Sequence, residues 1–207
     1  MDRRSLLTGT LAAGALAAMP GRALAQVAAA PFTISEQHRK ILAIARDQLE
    51  RNRAHLWRTD MVAVADFGMP SALPRFHFAN LEQGTVRSFL VAHGRGSDPE
   101  HDGWLKNFSN VPGSEATSRG AFLTCEWYNG KYGTSIRLQG LDPDNSLARE
   151  RAIVMHPAWY AAPEMIDKQG KLGRSEGCFA MAPSDFNEAL WHLSGGRLLY
   201  ADRIGEA

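Results

Sequence analysis

Apolar and polar positions change their period along this chain, and the changes mark out its elements. Ile41, Leu42, Ile44, Ala45 and Leu49 recur near helical spacing with charges between them. Ser35 stands before them as a side-chain cap, so the pattern predicts a helix over about 36–53. After that the period shortens. Residues 61–67, 75–80 and 85–93 read as strands, with Gly68-Met69-Pro70-Ser71 and Pro74 breaking the chain after the first. The runs 120–128 and 134–141 flank Asn129-Gly130, a dipeptide suited to a tight hairpin turn. Residues 151–156 form a short apolar run with β-branched members, which suits a buried strand. Ser184 is placed to cap a helix through about Leu193, Gly195-Gly196 stop it, and 197–202 forms a last strand. Many short strands with few helices predict a mainly β domain over 34–207, a sandwich with helices at its margins.

The first 25 residues follow another pattern. Arg3 and Arg4 precede an uncharged apolar run from Leu6 to Met19, and Ala23-Leu24-Ala25 is a small-x-small cleavage site. A bilayer span needs about 20 apolar residues, so this run is too short for a stable membrane anchor. The arginine pair with Ser5-Leu6-Leu7 resembles a twin-arginine export signal. The expected mature chain begins at Gln26, with 26–33 as a short tether, and works in the periplasm.

Composition narrows the picture further. Of 207 residues, 44% are hydrophobic and 22% charged, which suits a packed globular protein and not a disordered one. Removing residues 1–25 takes away Arg3, Arg4, Arg22 and Asp2 and leaves 20 basic against 21 acidic residues, a formal charge of −1. Such a surface makes no electrostatic claim on nucleic acid. Two cysteines, Cys125 and Cys178, exclude a disulfide-dense mini-protein and a four-thiolate zinc site.

Candidate chemistry concentrates in Gly173-Arg174-Ser175-Glu176-Gly177-Cys178-Phe179-Ala180. A glycine before a cysteine lets the backbone turn tightly and bring amides near a substrate carbonyl. Those amides can stabilise the oxyanion formed when a thiolate attacks. A free thiol titrates near ~8.5 and needs a base or a cation beside it. His156 closes a strand just before Pro157, a rigid place for that base. Taken alone, such a pair is more often a core thiol and a satisfied histidine.

The surrounding phrases change that weighting. VAHGRGSDP at 91–99, FSNVPGSEATSRGAF at 108–122, YNGKYGTSIRLQGLD at 128–142, ARERAIVMHPAWY at 148–160 and GRSEGC at 173–178 occur in order. Together they resemble the YkuD-like family of L,D-transpeptidase catalytic domains, bacterial cell-wall enzymes, and most of all its murein branch. The resemblance implies a YkuD-like β-sandwich with Cys178 as nucleophile and His156 as its base. Amides around Gly177 and Cys178 would form the oxyanion hole. The reaction it implies attacks a stem-peptide carbonyl next to a D-centre, forms a thioester, and passes the acyl group to an amine of a second stem, usually of diaminopimelate. The implied partners are therefore peptidoglycan donor and acceptor stems. The expected form is a monomer, with no metal and no organic cofactor. Export fits this chemistry, because a thioester keeps the energy of the cleaved amide where no ATP is supplied.

The chain departs from the common S-H-G-C-x-R form of that family. Glu176 replaces the histidine, Ala180 the arginine, and Pro157 stands where many relatives have glycine. Arg174 is the candidate replacement for the missing arginine, since a guanidinium clamps a carboxylate with two bonds. His93, Asn110, Ser175 and Tyr160 are further candidates for substrate contact. Ser175 is also suited to bracing the cysteine loop. Trp159 suits a groove wall or the core. Cys125 is expected to be a buried free thiol. Competing readings are a carboxypeptidase or endopeptidase in which water resolves the same thioester, a silent peptidoglycan-binding module, and a metal hydrolase drawing on His93, Asp98, His101, Asp102 and His156. The last lacks the spacing of a known zinc motif.

Overall fold

A computed structural model describes residues 35–204. The expected export segment 1–25 and tether 26–33 lie outside the described residues. Helix α1 (Glu36–Asn52) starts where its cap predicts, with the His38 amide donating to Ser35 Oγ at 3.2 Å. The strands are β1 (Met61–Asp66), β2 (Phe76–Asn80), β3 (Thr85–Phe89), β4 (Gly120–Gly130), β5 (Gly133–Gly140), β6 (Val154–Pro157), β7 (Phe179–Met181) and β8 (Leu198–Asp202). A short helix α2 (Glu164–Gln169) follows β6, and α3 (Pro183–Leu193) follows β7. The expected mainly β fold with flanking helices is what is observed.

The eight strands of the described residues join one mixed sheet in the order β3-β2-β1-β8-β4-β5-β6-β7. β1 shows how it is covered on both sides. Met61, Ala63 and Ala65 face the main core with Phe76, Phe122 and Phe179, and α3 adds Phe186, Ala189 and Leu193. Val62 and Val64 point the other way, against Ile41, Leu42, Ala45 and Leu49 of α1. Burial on both faces explains why β1 reads as a continuous apolar run.

The sheet bends round until its two edges share one stretch of chain. Phe89, at the end of β3, accepts a bond from the Arg75 amide beside β2 (3.0 Å). Three residues later Ala92 exchanges both backbone bonds with Ala180 of β7, at 2.8 and 3.4 Å. The segment after β3 thus closes the edge that carries Cys178.

Three boundaries differ from the sequence expectation. Asn129 and Gly130 lie within the β4–β5 ladder, paired with Thr134 and Gly133, so the hairpin turns at Lys131-Tyr132. The ladder shifts register between Thr124 and Trp127, and its pairing then runs on past the dipeptide. β6 begins only at Val154, because Ala152 has a left-handed φ of 54° and belongs to a turn. Pro183, not Ser184, opens α3, since its fixed φ suits the first helical position. The Ser184 hydroxyl turns to Asp185 instead.

Candidate functional site

β6 and β7 run parallel and adjacent, with His156 opposite Ala180. His156 is one residue from the end of β6, and Cys178 immediately precedes β7. Neighbouring strands lie about 4.8 Å apart, so the pairing brings Cys178 to within two residues of the position opposite His156. They line a single cleft of about 370 Å³ with Tyr132, Tyr160, Arg174 and Glu176. Cys178 is 7% exposed and His156 1%.

Burial shapes both groups. It pushes the Cys178 thiol up to about 11, while the Val154 amide pulls the other way. Burial also lowers the pKa of His156 below the usual imidazole value, against its bond to Pro157. The resting pair is therefore a neutral thiol and a neutral imidazole. His156 Nδ1 lies 3.0 Å from the Pro157 carbonyl oxygen, which can only accept. Nδ1 therefore carries the proton, and the Nε2 lone pair is left as the base. The thiol donates to the Ala152 carbonyl at 3.6 Å and is not bonded to the imidazole.

The cysteine loop is held from inside. The Ser175 amide donates to the His93 carbonyl at 2.9 Å, and the Arg95 amide donates to the Ser175 carbonyl at 2.8 Å. Ser175 Oγ donates to the Cys178 carbonyl at 2.6 Å and accepts from the Gly177 amide at 3.2 Å. The serine hydroxyl is thus spent on the loop and is not offered to substrate. The Gly177 amide, expected in an oxyanion hole, is committed to the same brace. Gly177 matters through its shape. Its φ is +113°, and a Cβ there would sit 2.7 Å from Ile153 Cδ1 and 2.8 Å from the Ala116 carbonyl oxygen. Among the hydrogen bonds of the described residues, none uses the Cys178 N–H.

His93 corrects an expectation. It is 1% exposed and does not reach the cleft. Its Nδ1 accepts from Arg75 at 2.7 Å, and its Nε2 faces Asp98 Oδ2 at 3.3 Å. Burial, with Arg75 adding to it, lowers its pKa to about 3. A neutral ring wedged between these two groups supports the loop through its carbonyl and cannot touch substrate. Arg75 is itself fully buried and also donates to the carbonyls of Met69 and Val91.

The other candidates divide. Arg174 and Tyr160 do line the cleft. Arg174 spends one Nη on the carbonyls of Asp98 and Pro99. Asn110 is elsewhere. Its side chain bonds Pro143, Ser146 and the Leu147 amide, tying two loops together, so its groups are consumed. Trp159 is 72% exposed and outside the core. Cys125 is a free, half-buried thiol on β4, and Cys178 is also free. Among the described residues no three His, Cys, Asp or Glu side chains are grouped to hold a metal ion.

Sequence reasoning missed four contributors. Arg151 lines the cleft and clamps the 109–118 loop through the carbonyls of Ser109 and Ala116 and the hydroxyls of Ser114 and Ser118. Arg95 and Glu115 form an ion pair at the cleft mouth. Tyr132, at the hairpin tip, lays its ring on His156 at 4.5 Å and 21°. No local pattern announces that contact, which joins residues far apart in sequence. Because burial is what lowers the His156 pKa, Tyr132→Ala is expected to raise it toward about 6.5. The imidazole proton shifts in NMR would report this, and an unchanged titration would show that the tyrosine is no shield.

A family model described as L,D-transpeptidase catalytic domain matches residues 34–201. Among solved structures, the L,D-transpeptidase from Mycobacterium smegmatis is similar at 15% identity and a TM-score of 0.42, over 69% of this chain and 58% of that one. LD transpeptidase LdtMt1 in complex with imipenem is similar at 15% identity and a TM-score of 0.42, over 69% and 59%. The helical cell shape determining protein Pgp2 from Campylobacter jejuni is similar at 13% identity and a TM-score of 0.42, over 80% and 55%. The chain thus spans less than two thirds of each of these structures. No curated protein matches it.

Proposed function

The chain belongs to the L,D-transpeptidase catalytic domain family, and from that premise we propose that it cross-links peptidoglycan stem peptides through a thioester on Cys178. The observation that carries this reading is the placement of His156 on β6 and of Cys178 just before the parallel, adjacent β7, both lining one cleft, with the imidazole neutral and its free nitrogen defined.

The proposed steps follow from those protonation states. A donor stem enters, and the thiol turns from the Ala152 carbonyl toward His156. Contacts of this kind often tighten only once substrate is bound. Sulfur adds to the peptide carbonyl as its proton passes to Nε2. The carbonyl oxygen takes up negative charge, which the Cys178 N–H is free to meet. The imidazolium then gives its proton to the leaving amine, and the thioester remains. An acceptor amine attacks that thioester, nitrogen loses a proton to His156, and the thiol is restored. Arg174 is proposed to read the donor carboxylate, in place of the arginine that Ala180 replaces. The proposed workplace is the periplasm, on the strength of residues 1–25.

Mass spectrometry of muropeptides after incubation with purified sacculi tests the reading. New cross-linked dimers, absent with Cys178→Ala, are expected. Shortened monomers alone would point to hydrolysis. Sacculus binding without any product would point to a binding module.

A further inference from the structure

We propose that Glu176 is the acceptor-binding residue of this cleft, its carboxylate receiving the ammonium group of the amine that resolves the thioester. The inference rests on the thioester reading above. Three guanidiniums and one carboxylate line the cleft around Cys178: Arg95, Arg151, Arg174 and Glu176. The guanidiniums are not equally available. Glu115 takes both the Nε and an Nη of Arg95 in a two-pronged pair. Glu176 is left 3.7 Å from the same guanidinium, beyond hydrogen-bonding distance, and is 58% exposed. Two carboxylates therefore face one cation, and Glu176 is the one whose oxygens that cation leaves without a hydrogen bond. Arg151 and Arg174 keep their charge but direct their hydrogen bonds to loop carbonyls and hydroxyls, as described above, and neither forms an ion pair with Glu176.

Glu176 also cannot drift far from the reacting sulfur. It is two residues before Cys178, between Ser175 and Gly177, whose bonds pin the loop. Where the family resembled by the sequence carries a histidine, this chain offers an acid.

The chemistry gives that acid a task. An amine acceptor arrives as its ammonium and must shed one proton before it can attack. Glu176 concentrates the cation beside the thioester, and that first proton leaves to water. The free nitrogen then bonds to the thioester carbon as the C–S bond breaks, and the departing sulfur receives the second proton through His156. Water is neutral and gains nothing from the carboxylate. Glu176 thereby biases the acyl-enzyme toward transfer and away from hydrolysis.

The test uses a tetrapeptide muropeptide as donor and two acceptors, D-alanine amide, which is cationic, and hydroxylamine, which is neutral at pH 7. Glu176→Gln is expected to raise KM for D-alanine amide roughly fivefold to tenfold, as loss of a charge-assisted contact would. Donor KM and the hydroxylamine rate should stay within about twofold, more product should be hydrolysed, and Glu176→Asp should recover part of the loss. An unchanged KM for the amide, or an equal loss with hydroxylamine, overturns the inference. If Cys178→Ala still transfers, the thioester reading falls with it. If Cys178→Ala is silent and Glu176→Gln behaves as the native protein, only the role of Glu176 fails.

Discussion

Cys178→Ala is expected to abolish acyl-enzyme formation, with no mass adduct from imipenem and no new muropeptide dimers. The expected loss is about three to six orders of magnitude, the range for removing a nucleophile from a catalytic unit. The variant should still fold. Cys178 is buried, but the loop around it is held by Ser175, His93 and Arg95 through backbone groups that alanine keeps. Losing the sulfur costs about 1 kcal/mol of packing. His156→Ala is expected to slow acylation by about 10²–10⁴. The smaller effect follows from chemistry, since a thiol retains some reactivity without its base. An adduct on the alanine variant, at any position, would show that another group is acylated.

Arg75→Met is expected to be the most destabilising single change, at about 3–5 kcal/mol, although it lies outside the cleft. Methionine has similar reach, so the loss is electrostatic and not a cavity. It leaves His93 Nδ1 and the carbonyls of Met69 and Val91 without their donor in a dry interior. Burial pulls the Arg75 pKa down to about 9 while the charges of Asp66 and Asp98 pull it up, so the methionine variant also deprives those carboxylates of their cation. A shift in urea midpoint at constant slope would measure the loss. A change below about 1 kcal/mol would mean that water replaces the guanidinium.

The same interior predicts how stability depends on pH. His77 and His93 have pKa values lowered to about 4 and about 3, in both cases mainly by burial. The unfolded chain protonates them near 6.5. Between those values the unfolded state binds more protons, so stability should fall as pH drops below about 6.5 and level off near the folded values. Urea melts from pH 7.5 to 4.5 check the sign, and a flat profile would contradict it.

Legibility in the sequence followed the range of the interactions. The cap at Ser35 and the spacing of Ile41, Leu42, Ala45 and Leu49 act over one or two turns, and α1 lies where they place it. The glycine before Cys178 signals a turn that only a small residue can make, and its φ of +113° agrees. The hairpin was legible as a hairpin, but its turn lies two residues along, because the ladder runs on through Asn129 and Gly130 to pair with Thr134 and Gly133. His93 read as a candidate contact because a histidine beside a glycine looks alike in sequence whether it faces solvent or a buried arginine.

The sequence by itself determined the local shapes, the two reactive residue types and the family to which the chain belongs. Only the tertiary structure decided which groups meet. Parallel pairing of β6 with β7 sets Cys178 beside His156, Tyr132 reaches the imidazole from a hairpin tip, and Arg75 withdraws His93 into the core. The physical reason is that caps, turns and periodicity are settled by neighbours along the chain. Burial and charge are settled by whatever the closed sheet packs against each residue, and those shape the chemistry of a thiol and an imidazole.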